Sequence, residues 1–124
     1  MTAATSIVDE PVTFDSAAGR WAPQNYDHKF HGTVSLRTAL EQSLNIPAVK
    51  IAQLVGTKRI LHLAEKLGIR SPLADNLSIA LGTSGVSLLE MTSAFGVLAH
   101  EGISMAPTAL QAVMTPEGDP AWHH

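Results

Sequence analysis

The run Gly32-Thr-Val-Ser-Leu-Arg-Thr-Ala-Leu-Glu-Gln-Ser-Leu-Asn-Ile-Pro-Ala-Val-Lys50 decides the reading of this chain. Two helical patterns meet inside it. Ser35 suits the N-cap of a helix running through Gln42, because its hydroxyl accepts from the free N–H groups of a first turn. Asn45 suits the N-cap of a second helix, with Pro47 in its first turn, where a missing N–H costs nothing. Ala48, Ile51, Ala52 and Val55 recur at one-face spacing, and Gly56 ends the pattern. Between the helices a hydroxyl, Ser43, and a carboxamide, Asn45, stand two residues apart.

Further along, Thr57 is placed to cap a third helix. Ile60, Leu63, Ala64 and Leu67 line one face of it, and Gly68 stops it. Residues 69–86 read as a long loop. Ser87-x-x-Glu90 is a capping box opening a fourth helix. Leu88, Met91, Phe95 and Leu98 form its apolar stripe, read as core, and Gly102 is its stop. Residues 1–34 read as irregular with short extended pieces, Val12-Thr13-Phe14 among them. Thr108–Thr115 has strand character, and Pro116-Glu-Gly-Asp119 signals a turn. A strand followed by a turn calls for a partner strand. The expectation is that the partner lies beyond His124 and the chain is truncated. The division expected is therefore a lead-in over 1–34, a helical core over 35–102 and a strand-turn tail over 103–124.

At 124 residues the chain is one domain or part of one. Its hydrophobic content is 45% and its charged content 15%, as in globular proteins. Aromatics make up only 5%, so aliphatic side chains fill the core. A net charge of −3 without a basic block argues against a nucleic-acid partner. There is no cysteine, which excludes a disulfide scaffold and a thiolate metal site. No run approaches the roughly 20 apolar residues of a membrane span. The start, Met1-Thr-Ala-Ala-Thr-Ser-Ile-Val-Asp9, lacks the basic and apolar regions of a signal peptide, so no signal or anchor is expected here.

The Ser43-x-Asn45 pair takes on meaning from its surroundings. Upstream stand Trp21-Ala-Pro-Gln-Asn-Tyr-Asp27 and Phe30-His-Gly-Thr-Val-Ser-Leu-Arg37. Downstream stand Lys66-Leu-Gly-Ile69, Ser78-Ile-Ala-Leu-Gly-Thr83, Val86–Phe95 and Leu98-Ala-His-Glu-Gly102. In this order and spacing, from about Ile7 to Gly118, the chain resembles the transpeptidase domain of class A penicillin-binding proteins. These bifunctional enzymes polymerise glycan strands and cross-link peptidoglycan peptides. The family uses three polar motifs: Ser-x-x-Lys, Ser-x-Asn and Lys-Thr-Gly. Only the second is here. No Ser is followed three positions on by Lys, and none of the four Lys residues opens a Lys-Thr-Gly or Lys-Ser-Gly triplet.

The resemblance implies a mainly α fold, the helical lobe of the serine D,D-transpeptidase and β-lactamase-like fold, with short marginal strands at both ends. It implies that Ser43 is a catalytic residue, relaying a proton between the nucleophile's Lys and the leaving amine. Such help is worth about 10²–10⁴-fold. It implies that Asn45 binds substrate, its carboxamide donating to and accepting from a peptide backbone. The implied partners are the peptidoglycan stem peptide and β-lactams, with no cofactor and no metal. The implied setting is the outer face of the bacterial cytoplasmic membrane. The alternative is a non-catalytic, truncated helical fragment without activity of its own. A Ser-x-x-Lys segment encoded just before Met1 would separate the two. A serine β-lactamase fits less well, since those enzymes lack the Trp21-x-Pro-x-Asn-Tyr run and the long Leu81–Gly102 match.

Other features read as structural. Ser43 and Asn45 also suit a helix end and a helix start. Lys50 is expected to be solvated, opposite the apolar face of its helix. His28 and His31 have zinc-compatible spacing but lack a convincing third ligand. Gly82-Thr-Ser-Gly85 lacks the Lys and the preceding strand of a phosphate loop. His62 and His100 read as surface residues.

Overall fold

The computed structural model describes residues 1–16, 19–110 and 112–123. The element order is β1 (Ser6–Asp9), β2 (Phe14–Ser16), β3 (Gly19–Trp21), β4 (Gly32–Ser35), α1 (Leu36–Glu41), α2 (Asn45–Val55), α3 (Thr57–Lys66), a 3-10 turn (Leu77–Leu81), α4 (Leu88–Ala99), β5 (Ala112–Met114) and β6 (Pro120–His123). The expected architecture of a helical middle flanked by short strands is the one observed.

The strands form three antiparallel pairs, β1 with β4, β2 with β3 and β5 with β6. In the first pair Ser6 faces Ser35 and Asp9 faces Gly32. The start of the chain is thus laid beside the strand that feeds α1. The Val12–Phe14 strand is displaced, since only Phe14 belongs to β2, where it faces Trp21 across the pair. Their ring centroids are 6.0 Å apart, within the range of favourable aromatic pairs. The partner for β5 is not beyond the chain. It is β6, which begins directly after the turn, so four residues suffice to pair with it.

Ser35 caps α1 as expected, its hydroxyl accepting from the Thr38 N–H. The other two caps differ. α2 begins at Asn45 itself, with Leu44 as N-cap and no side-chain cap bond. α3 begins at Thr57, whose hydroxyl bonds the Asp75 carboxylate instead of its own helix. In both cases a distant partner outcompetes the local cap. Residues 69–86 are not all loop: Asn76 accepts from the Ser78 N–H and opens the 3-10 turn.

The core is small and centred on α2. Ile46 and Val49 are fully buried, and Leu44, Ala39, Ala52 and Phe14 are buried as well. The buried set on α2 is Ile46, Pro47, Val49 and Ala52. The expected stripe keeps only Ala52 buried, because α2 packs against α1, α3, β1 and the 3-10 turn rather than against one neighbour.

On α4 the expected stripe is reversed. Ala94 and Val97 are buried, while Phe95 is 63% and Leu98 65% exposed. Leu88 and Met91 are exposed as well, so these four residues are not core. The reason is that α4 is apolar on two sides and only one has a partner among the described residues. A large uncovered apolar stripe favours association. Light scattering on the isolated chain is expected to show concentration-dependent dimers or aggregates. A strictly monomeric sample at all concentrations would contradict this.

The capping box at α4 is present and does more than cap. Glu90 accepts from the Ser87 N–H and hydroxyl, the Arg70 and Ser71 N–H groups and the Ser71 hydroxyl. These bonds, led by that from the Ser71 hydroxyl, hold its carboxyl at about 2, against an ordinary 4.5. A carboxyl depressed by folding stabilises above its unfolded pKa, and the gain is lost as pH falls through the folded value. The melting midpoint is therefore expected to fall between about pH 4.5 and pH 2, and this acid sensitivity should shrink in Glu90→Gln. An equal slope in both proteins would refute the assignment. Ser87→Ala is expected to cost about 0.5–2 kcal/mol by loss of the cap.

Candidate functional site

The turn between α1 and α2 is built from backbone bonds that recur at helix ends. The Ser43 N–H donates to the Leu40 carbonyl at 3.1 Å and the Leu44 N–H to the Ala39 carbonyl at 2.9 Å. This is the Schellman pattern, in which the residue after the C-cap takes left-handed backbone angles and is usually glycine. At the end of α3 the pattern repeats with Gly68 in that place, at φ +95. At the end of α1 the place is held by Ser43, at φ 54. A left-handed serine costs roughly 1–2 kcal/mol relative to the ordinary helical region, a cost glycine does not carry. The chain keeps a hydroxyl where the backbone favours none. Buried Leu44 anchors the next position.

The Ser43 side chain is exposed and makes no hydrogen bond among the described residues. It borders an open depression of about 320 Å³ with Asn45, Leu36, Leu40, Ala80 and Leu81. Ser43 and Asn45 thus share one surface, which α1, α2 and the 3-10 turn frame.

Asn45 is half-buried, and its Nδ2 donates to the Gln24 carbonyl at 2.8 Å. A carbonyl only accepts, so the NH₂ must face it. One N–H and Oδ1 then remain for other partners. The carboxamide is aimed across the sequence at the Trp21–Asp27 segment and not back at its own helix, which is why it does not cap α2.

Behind this segment lies a polar cluster that sequence reasoning missed. Asn25 is 2% exposed and Asp9 fully buried. Asn25 Nδ2 donates to both Asp9 carboxylate oxygens, at 2.9 and 2.7 Å, and to the Lys29 carbonyl at 2.9 Å. Its Oδ1 accepts from the Ile46 N–H at 3.3 Å, in the first turn of α2. The Asp9 carboxylate also accepts from the His31 N–H at 2.9 Å and lies 2.7 Å from His31 Nδ1. Nε2 of His31 is 3.2 Å from Asp27. Burial pushes the Asp9 carboxyl up, but the bonds from Asn25 and His31 together outweigh it and hold it below its ordinary 3.8. The Asp9 bond in turn raises His31 above 6.5. His31 is thus committed to two carboxylates, while His28 bonds Gln24. Among the described residues no cluster of His, Cys, Asp and Glu is arranged to hold a metal ion.

Lys50 is not solvated. Its Nζ donates to the Val8 carbonyl at 2.7 Å and lies 3.0 Å from Glu10. It ties α2 to β1, and its side chain is 18% exposed. Lysine's long stem permits this reach, which helical spacing alone does not reveal.

Residues 2–124 match the family model described as the penicillin-binding protein transpeptidase domain. The chain belongs to that family. Among curated relatives, penicillin-binding protein 1A of Aquifex aeolicus is 36% identical over 107 residues, 86% of this chain and 15% of that protein. Penicillin-binding protein 1B of Vibrio cholerae is 31% identical over 118 residues, 94% of this chain and 15% of that protein. The chain thus spans about one seventh of the length of these transpeptidase-family relatives. The fold agrees. A crystal structure of penicillin-binding protein 1A from Haemophilus influenzae superposes with a TM-score of 0.91 at 23% identity, over all of this chain and 19% of that one. PonA1 of Mycobacterium tuberculosis in complex with penicillin V gives 0.78 at 23% identity, over 95% and 35%. This chain is a fragment of a transpeptidase domain, and no described helix in it is long and apolar enough to cross a membrane.

Proposed function

We propose that this segment forms the Ser-x-Asn wall of a D,D-transpeptidase cleft that is acylated by stem peptides and by β-lactams. The complete domain attacks a D-Ala-D-Ala peptide bond with a serine, forms an acyl-enzyme and passes the acyl group to an amine on a neighbouring strand. The nucleophile and its lysine come from a Ser-x-x-Lys motif, which the 124 residues do not contain. Ser43 relays the proton to the leaving amine, and Asn45 holds the substrate backbone. The site faces the outside of the cytoplasmic membrane.

One observation carries this reading. Ser43 occupies the left-handed position that Gly68 fills at the next equivalent turn, and among the described residues its hydroxyl has no hydrogen-bond partner. Strain kept at an exposed polar residue beside a groove points to use.

The matching experiment separates turn from chemistry. In a complete transpeptidase domain containing this segment, Ser43→Gly relieves the backbone and should not lower the melting midpoint. Acylation by fluorescent penicillin should nevertheless slow by about 10²–10⁴-fold, the usual worth of a positioned proton-transfer group. Unchanged acylation in a folded Ser43→Gly protein would remove Ser43 from the mechanism. The isolated 124-residue chain should remain unlabelled, because a serine without an adjacent base is a poor nucleophile. A stable labelled band lost on Ser43→Ala would overturn that.

A further inference from the structure

Two consecutive residues of the 22–31 segment hold two consecutive residues of α2. The Gln24 carbonyl takes the Asn45 side chain, and the Asn25 side chain takes the Ile46 main chain. We propose that Asn25 is a positioning residue for Asn45, with the Asp9 carboxylate as its fixed support. This rests on the reading of Asn45 as a substrate-binding group.

The chemistry of Asn25 leaves it one orientation. The Asp9 carboxylate and the Lys29 carbonyl accept only, so they fix Nδ2. The Ile46 N–H donates only, so it fixes Oδ1. A flipped carboxamide would set oxygen against oxygen and N–H against N–H in a site that is 2% exposed. Asn25 is thereby locked, and with it the direction of the peptide carbonyl just before it. That carbonyl is the acceptor that orients Asn45. Asp9 cannot drift either, because the His31 N–H and Nδ1 hold it from the β4 side. The result is a binding carboxamide whose rotamer is set before a ligand arrives. Pre-setting a contact group lowers the ordering cost of binding and keeps reacting geometry tight.

A residue that merely stiffens the fold would not act selectively on Asn45, and this difference is measurable. In the isolated chain, the Asn45 carboxamide protons are followed by nuclear magnetic resonance. Asn25→Ala is expected to shift them and to reduce their exchange protection about ten-fold. Ser87→Ala, which weakens the remote α4 cap, should leave them unchanged. Unaltered Asn45 signals in Asn25→Ala would overturn the proposal. Asn25→Ser, a smaller change, is read the same way where Asn25→Ala does not fold.

The second arm uses a complete transpeptidase domain. Asn25→Ala is expected to slow penicillin acylation about ten-fold on its own and to add nothing in an Asn45→Ala background. Full additivity would place Asn25 on a separate route and overturn the proposal. If Asn45→Ala alone leaves acylation unchanged, the substrate-binding reading fails, and the resonance measurement still decides whether Asn25 positions Asn45.

Discussion

In a complete transpeptidase domain containing this segment, Asn45→Ala slows acylation by penicillin about ten-fold or more. Among the described residues Asn45 keeps one N–H and Oδ1 free after its bond to Gln24. Losing a hydrogen bond in a desolvated cleft costs about 1–3 kcal/mol, and each 1.36 kcal/mol on a barrier is about ten-fold in rate. The fold should tolerate the change, since only the bond to the Gln24 carbonyl is lost, a net effect of about 0.5–1.5 kcal/mol. Rate and melting midpoint therefore separate. An unchanged acylation rate would show that the binding role does not belong to this residue. A collapse of the melting midpoint would show that Asn45 serves the fold first.

Asp9→Ala is expected to produce the largest loss of stability, about 3 kcal/mol. A fully buried carboxylate persists only when paired. Here it accepts from Asn25 and from His31. Removing it strands the Asn25 N–H in the interior, at about 1–3 kcal/mol, and releases the bonded His31 as well. Net stabilities of whole domains are only about 5–15 kcal/mol, so the change is large. Urea unfolding of the two proteins checks it. A loss below about 1 kcal/mol would mean that water replaces the carboxylate and that the cluster is not a structural node.

The helices were legible in the sequence because their signals are local. Ser35 and the Ser87-x-x-Glu90 box act within one turn, and both caps formed as read. The failures share one cause. Asn45 and Thr57 have capping chemistry, yet each spends its side chain on a residue about twenty positions away, Gln24 and Asp75. Lys50 bonds Val8, in β1 and 42 positions away in the sequence. Nothing in the spacing of one helix announces such partners. The α4 stripe failed for another reason. Periodicity identifies an apolar face but not whether the described chain supplies its cover.

The candidate site divides the same way. Ser43 and Asn45 stood out through their motif and its setting, and they do share one surface. Asp9 and Asn25 did not stand out, although Asn25 lies within the Trp21–Asp27 run that carries the resemblance. An asparagine after Pro-Gln reads as loop chemistry. The pairing of β1 with β4 sets Asp9 opposite Gly32, and in the fold its carboxylate lies within 3 Å of Asn25, 16 positions away in the sequence.

The most direct measurement is a crystal structure of a complete transpeptidase domain containing this segment, acylated by a penicillin. The ligand is expected in the depression bordered by Ser43 and Asn45, with its amide within about 3 Å of the Asn45 carboxamide. Ser43 Oγ should face the acylated serine, still at a left-handed backbone angle, and Asn45 should still be held by Gln24. A ligand bound covalently elsewhere, with Ser43 and Asn45 touching neither it nor the acylated serine, would contradict the central claim.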